Sequence, residues 1–300
     1  MSFAIEARNI IKKYGSTVAI DNIDISWEKD KIYGLLGRNG AGKTTLMHLL
    51  AGQLLPNSGV IEVMGEAVYE NPEALNQICY VGSFANQNSN HVKTFKAKDF
   101  LTSASMFFPN WDEDYAQQLV GLFSLDLKKP FKDLSTGMHS MISIIISLAS
   151  RAPVTLLDEP YLGLDAAARQ EFYDILAEDY SNNPRTIIFS THLIDEATNL
   201  FEEVILLHQG KVLLTEPLEA IQEASFIVSG DQDTVKSMVV NKRVVHQRVF
   251  GGRASYALFA PLSDREKQEY IQAGLELRHL SLQQLFVYLT ANKGGNISNV

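Results

Sequence analysis

Two segments near the start of the chain, residues 3–7 and 19–25, alternate apolar and polar positions with period two. That alternation predicts half-buried antiparallel strands. Three other runs are apolar almost throughout: 31–36, ending at Gly37, then 154–157 and 186–190. Runs this short predict central parallel strands covered on both faces, and the first leads into a helical pattern from 43 to 51. Between 95 and 149 the period becomes that of helices. Phe100, Leu101, Ala104, Phe107 and Phe108 mark one apolar face, and Tyr115, Leu119 and Leu122 mark that of a second helix from about Asp112 to Phe123. The greasiest run, 141–149, falls well short of the ~20 apolar residues a bilayer requires and predicts a buried helix.

After Leu218 the pattern changes again. Residues 226–228, 243–250 and 253–259 read as strands, the last two forming a hairpin around Gly251-Gly252. Helices are expected near 264–273 and 281–290. The second opens on Ser281 and Gln284, the spacing of a capping box. These changes divide the chain into a main unit over 1–217 with a helical subdomain at about 95–150, a small α+β accessory domain over 218–292, and a flexible tail over 293–300. No internal repeat is present.

Composition narrows the function classes. Across 300 residues, 46% are hydrophobic and 20% charged, which fits an ordinary globular chain and excludes disordered or disulfide-stapled classes. A formal net charge of −9 argues against a dedicated nucleic-acid binder, which needs a basic footprint. Cys79, the single cysteine, cannot form an internal disulfide and fits a reducing compartment. The N-terminus turns charged at once, unlike a signal peptide, and the chain is not expected to cross a membrane by itself.

The strongest chemical signal is Gly37-Arg38-Asn39-Gly40-Ala41-Gly42-Lys43-Thr44-Thr45, which matches the phosphate-binding pattern G-x-x-x-x-G-K-[ST]. Glycines let the backbone curl so that successive N–H groups face phosphate oxygens, and the following helix adds its positive end. Lys43 is expected on the β- and γ-phosphates and Thr44 on Mg²⁺. At the end of the apolar run 154–157 stand Asp158, the expected Mg²⁺ partner, and Glu159, placed to take a proton from an attacking water. His192 follows the run 186–190, where a neutral imidazole can bond the γ-phosphate and orient Glu159 and the water. The other six histidines read as packed or solvated side chains. Tyr14 lies between the first strand and the phosphate loop and is a candidate for stacking on adenine. Ser135 and Gly137 open the apolar helix through Ala149, a second anion-binding helix end, although a serine there is in isolation an ordinary cap.

In this order the motifs resemble those of an ATP-binding-cassette (ABC) ATPase. Tyr14, the loop 37–45, the signature Leu134-Ser135-Thr136-Gly137-Met138, the pair Asp158-Glu159, the D-loop Gly163-Leu164-Asp165 and His192 carry the likeness over about residues 3–217. Within the superfamily the sequence is similar to single-cassette exporter ATPases of the YtrB and Pmt (phenol-soluble modulin) type. The resemblance implies a P-loop α/β cassette: a mixed core sheet, an antiparallel β subdomain and an inserted helical subdomain. It also implies a head-to-tail dimer, of identical or closely related cassettes, holding ATP and Mg²⁺. Each ATP then meets the phosphate loop of one subunit and Ser135 and Gly137 of the other, with Asp165 alongside. A separate integral membrane permease follows as partner, nucleic acid does not, and the chain is expected in the cytoplasm on the inner face of the membrane, powering export of peptides or antimicrobial compounds. Two departures stand out. Thr136 replaces a family glycine, which implies looser closure. Strict register for the family's Mg²⁺-binding glutamine falls on Ser83, and Gln87 is the nearest glutamine to fill that role. The competing classes are a cassette ATPase of translation or repair, which usually carries two cassettes or a long coiled coil, and a P-loop kinase, which would not need Ser135 and Gly137.

Overall fold

The computed structural model describes residues 3–82 and 95–291. Ser83, Gln87 and the tail 293–300 lie outside the described residues. Three sheets organise the chain. The first is antiparallel, in the order β2 (Thr17–Glu28), β1 (Phe3–Tyr14), β4 (Ser58–Val63), β5 (Glu66–Ala67). Its two long strands span twelve residues each, so the short alternations of the sequence are parts of longer ribbons.

The second sheet positions the site. Its order is β10 (Lys211–Pro217), β9 (Glu203–His208), β3 (Ile32–Gly37), β8 (Thr186–Ser190), β7 (Val154–Asp158), β6 (Ile78–Val81). All neighbours run parallel except β10 against β9. The strands β3, β7 and β8 are buried at every position, as their unbroken apolar runs require. One face packs on the first sheet and on α1 (Lys43–Leu50) through Ile20, Trp27, Leu46, Met47 and Ile188. The opposite face packs on α5 (Thr136–Ala149) and α6 (Ala166–Asn182) through Ile144, Leu148, Phe172, Leu176 and Phe189. A short helix, α2 (Pro72–Leu75), begins on the cap Asn71 just before β6.

The helical segment holds α3 (Ala97–Phe107) and α4 (Glu113–Leu122), both packed on α5. Their buried faces match the expected ones in part: Leu101, Ala104 and Leu119 are buried and Phe100, Phe108 and Tyr115 pack against the core, whereas Phe107 and Leu122 do not. On α3 the stripe runs through Ala97, Leu101 and Ala104, which leaves Phe107 75% exposed. On α4 it runs through Ala116 and Leu119, and Leu122 is 52% exposed. Alanines three or four residues from the buried leucines let these helices close on α5, and both large residues fall outside the stripe. Phe108 takes an extended conformation and ends α3 because Pro109 follows it.

After α7 (Ile194–Ala197) and β10, the chain enters α8 (Leu218–Ala224) and a third sheet. The latter is ordered β12 (Val244–Phe250), β13 (Arg253–Phe259), β11 (Ser225–Asp231), β14 (Glu276–His279), antiparallel throughout. With α9 (Gln232–Met238) after β11 and α10 (Asp264–Gln272) after β13, this is the split β-α-β-β-α-β arrangement. The hairpin at Gly251-Gly252 and the capping box of α11 (Leu282–Thr290) stand where the sequence places them. One sheet face has its own core, with Phe226, Val228, Val235 and Leu258. Residues Ile221, Ala257, Leu282 and Leu285 join instead the core around α5 and α6, so this unit is fastened to the main one through α8 and α11.

Candidate functional site

The loop 37–45 leaves β3 and enters α1. Gly40 and Gly42 have φ of 78° and 108°, in the left-handed region. A β-carbon on Gly42 would lie 2.6 Å from the Ala19 carbonyl oxygen, and one on Gly37 would lie 2.9 Å from that of Leu207. The loop is therefore drawn against neighbouring backbone as only glycine allows. Ala41 N–H donates to the Arg38 carbonyl at 2.9 Å, and the turn at Gly210 donates to Ala41 O at 3.0 Å. Arg38, Asn39 and Thr44 are exposed, and Thr45 is half-buried. Lys43 is buried, with Nζ donating to Gly37 O at 2.7 Å. Burial pushes its pKa down, against the opposing pull of Glu159 and Asp158. A buried ammonium at a helix N-terminus whose first turn carries no acid suits an anion.

Asp158 ends β7 beside Ser190, the last residue of β8. It is buried and accepts a hydrogen bond from the Ser190 hydroxyl. Glu159 follows with φ of 50°, unusual for a side chain of this size, and its N–H donates to Ser190 O at 3.2 Å. This backbone turn brings Glu159 Oε1 to 3.3 Å from His192 Nδ1. Lys43, Asp158, Glu159 and His192 thus gather where β3, β7 and β8 end, the edge at which parallel sheets hold ligands.

Other candidates lie on separate elements. Tyr14 ends β1, 50% exposed, with Lys12 Nζ 5.4 Å from its ring centre. Ser135 caps α5 by accepting from Met138 N–H at 3.2 Å, and Asp165 caps α6 by accepting from Ala168 N–H at 2.9 Å. Gly137 packs on the turn at Gly163: a β-carbon on Gly137 would lie 2.6 Å from the Gly163 carbonyl oxygen. Ser140 Oγ donates to Leu162 O at 2.6 Å, so the start of α5 and the turn 161–165 form one seam.

Sequence reasoning missed Ser190, Tyr161 and Thr191. Tyr161 Oη lies 2.7 Å from Thr191 Oγ1 and 3.2 Å from His192 Nδ1. Their sequence signal was only their position, bordering the ends of two apolar runs. Among the described residues, two histidines outside the site have structural partners: His48 Nε2 meets Tyr80 Oη at 2.9 Å, and His246 stacks on Tyr288.

Comparison with known proteins agrees on family and fold. The ABC transporter family model matches residues 20–162. The chain is 25% identical over 268 residues to the ABC transporter ATP-binding protein YtrB of Bacillus subtilis (strain 168), covering 89% of this chain and 90% of that protein. It is 30% identical over 225 residues to the bacitracin transport ATP-binding protein BcrA of Bacillus licheniformis, covering 74% and 72%. A solved ATP-binding subunit of an ABC transporter shares the fold with a TM-score of 0.64 at 23% identity, over 73% of this chain and 92% of that one.

Proposed function

Because this chain belongs to the ABC transporter family as an ATP-binding, ATP-hydrolysing subunit, we propose that it is one of two cassettes that close over ATP and power a separate permease exporting peptides or antimicrobial compounds. The observation that supports this reading most is the gathering of Lys43, Asp158, Glu159 and His192 at the ends of adjacent parallel strands. Lys43 and the amides of residues 40–45 bind the phosphates. Thr44 and Asp158 would hold Mg²⁺, which when bound neutralises phosphate charge; Gln87, the nearest glutamine for the family's Mg²⁺ role, lies outside the described residues. Glu159 accepts a proton from the attacking water, and His192 orients that water and the γ-phosphate. Tyr14 stacks on adenine.

In the second cassette Ser135 and Gly137, with Asp165 nearby, close over the same γ-phosphate. Hydrolysis removes the shared charge, and the difference in affinity between the two nucleotide states opens the pair. The helical segment 95–150 passes that motion to the permease. No helix of the described residues is long and apolar enough to cross a membrane, and the reading places this chain in the cytoplasm against the membrane's inner face. The bacitracin transport relative supports a peptide cargo.

The deciding experiment is Glu159→Gln. Hydrolysis is expected to fall by roughly 10²–10⁴-fold, the range that a positioned general base supplies. ATP binding persists, and ATP-dependent dimers accumulate on size exclusion. Turnover at the wild-type rate would overturn the assignment.

A further inference from the structure

We propose that Tyr161, backed by Thr191, is a positioning residue that puts the ring proton of His192 on Nε2 and leaves Nδ1 as an acceptor. The inference rests on the ATPase reading above, but it is argued from the hydrogen-bond geometry around Tyr161. The Tyr161 hydroxyl is 2% exposed at the residue level and touches three groups. It accepts from the His192 backbone N–H at 3.1 Å, faces Thr191 Oγ1 at 2.7 Å, and faces His192 Nδ1 at 3.2 Å. A phenol offers one proton and can accept the rest. Thr191 is fully buried, and its oxygen already accepts from Leu193 N–H at 2.9 Å.

Two proton arrangements are open. In the first, Thr191 donates to Tyr161, Tyr161 donates to Nδ1, and every hydroxyl proton has an acceptor. In the second, Nδ1–H donates to Tyr161 or to Glu159, and one buried hydroxyl proton, that of Thr191 or of Tyr161 according to which donates to the other, has no acceptor among the described contacts. An unpaired buried polar group is unfavourable, so the first arrangement wins. Burial also pushes the Tyr161 pKa up, which keeps the phenol a neutral donor.

The consequence reaches the reaction. A phosphate oxygen accepts hydrogen bonds, so a neutral His192 can serve it through Nε2 only when the proton is there. Glu159 Oε1 also faces Nδ1, at 3.3 Å, and an ionised carboxylate holds that nitrogen only if it is protonated. Tyr161 as donor therefore does two things at once. It arms Nε2 toward the anion and releases Glu159 from the imidazole to receive a proton from water.

The test uses the full chain, nucleotide-free and ¹⁵N-labelled at histidine, at a pH where the rings are neutral. His192 resonances are identified by their loss in His192→Gln. The wild type is expected to show the Nε2–H tautomer, with Tyr161→Phe and Thr191→Val both shifting it toward Nδ1–H. Phenylalanine keeps the ring packing on Phe189, and Thr191→Val provides an independent variant should the first fold poorly. In hydrolysis, Tyr161→Phe is expected to lower kcat on the order of tenfold or more at unchanged KM for ATP, within what proton-transfer positioning supplies. An Nδ1–H wild type, or a tautomer untouched by both substitutions, overturns the proposal. Neither result depends on ATP, so this failure is distinct from that of Glu159→Gln.

Discussion

At the scale of single residues, a β-carbon decides much of this site. Gly163 has φ of 83°, and an added Cβ would lie 2.7 Å from Thr136 Cβ and 2.8 Å from the Gly137 nitrogen. Gly15 shares the left-handed backbone, with φ of 58°, but has nothing within 4 Å. The pair separates strain from collision. Gly15→Ala is expected to destabilise by about 1 kcal/mol, the lower end of the strain range. Gly163→Ala should lose a further ~1–3 kcal/mol through overpacking, read as a lower urea midpoint. Equal losses would show that the seam between α5 and the 161–165 turn yields freely. This is also the scale at which the sequence is least legible. The candidate phosphate loop, Asp158, Glu159 and His192 are singled out by motif because each lies in a recognisable local order of residues. Tyr161 and Thr191 are not, since their role arises from two strand ends separated by 30 residues and joined only in the fold.

Among elements, legibility follows how much of an element's stability is local. The strands β3, β7 and β8 announce themselves because burial on both faces demands unbroken apolar runs. By contrast, β14 spans four residues, Glu276–His279, and forms because the edge of β11 offers it a ladder. Helix α10 shows local stabilisation at its clearest. Ser263 and Glu266 cap each other, and Lys242 Nζ lies 2.5 Å from Glu266 Oε1. The Lys242 hydrogen bond and the cap lower the Glu266 pKa from 4.5 to about 2. A carboxylate depressed on folding contributes stability that is fully present above its unfolded pKa and lost as pH falls through the folded one. The third sheet is thus expected to weaken between pH 4.5 and about 2. Glu266→Gln should be less stable than wild type at neutral pH and flatter across that window, by acid titration of the Tyr270 environment. A parallel decline in both proteins would remove Glu266 from the account.

For the whole molecule, the two candidate phosphate-binding helix ends belong to different parts of one chain. Lys43 begins α1 at the edge of the central sheet, whereas Ser135 caps α5, which Ser140 stitches to the 161–165 turn. Within one chain the Ser135 hydroxyl is a cap, and capping alone accounts for about 1 kcal/mol. If the serine also closes over ATP bound to a second cassette, capping and hydrolysis respond differently to substitution. Ser135→Asp retains a good cap and places a negative charge where the γ-phosphate of the opposite subunit should lie. Stability near wild type is expected, together with loss of most ATPase activity. On that reading the specific activity of the unmodified protein should rise with its concentration, as expected of a site completed by pairing. A rate per chain that is flat across concentration, with Ser135→Asp turning over normally, would instead place the entire reaction on the Lys43 side of a single subunit.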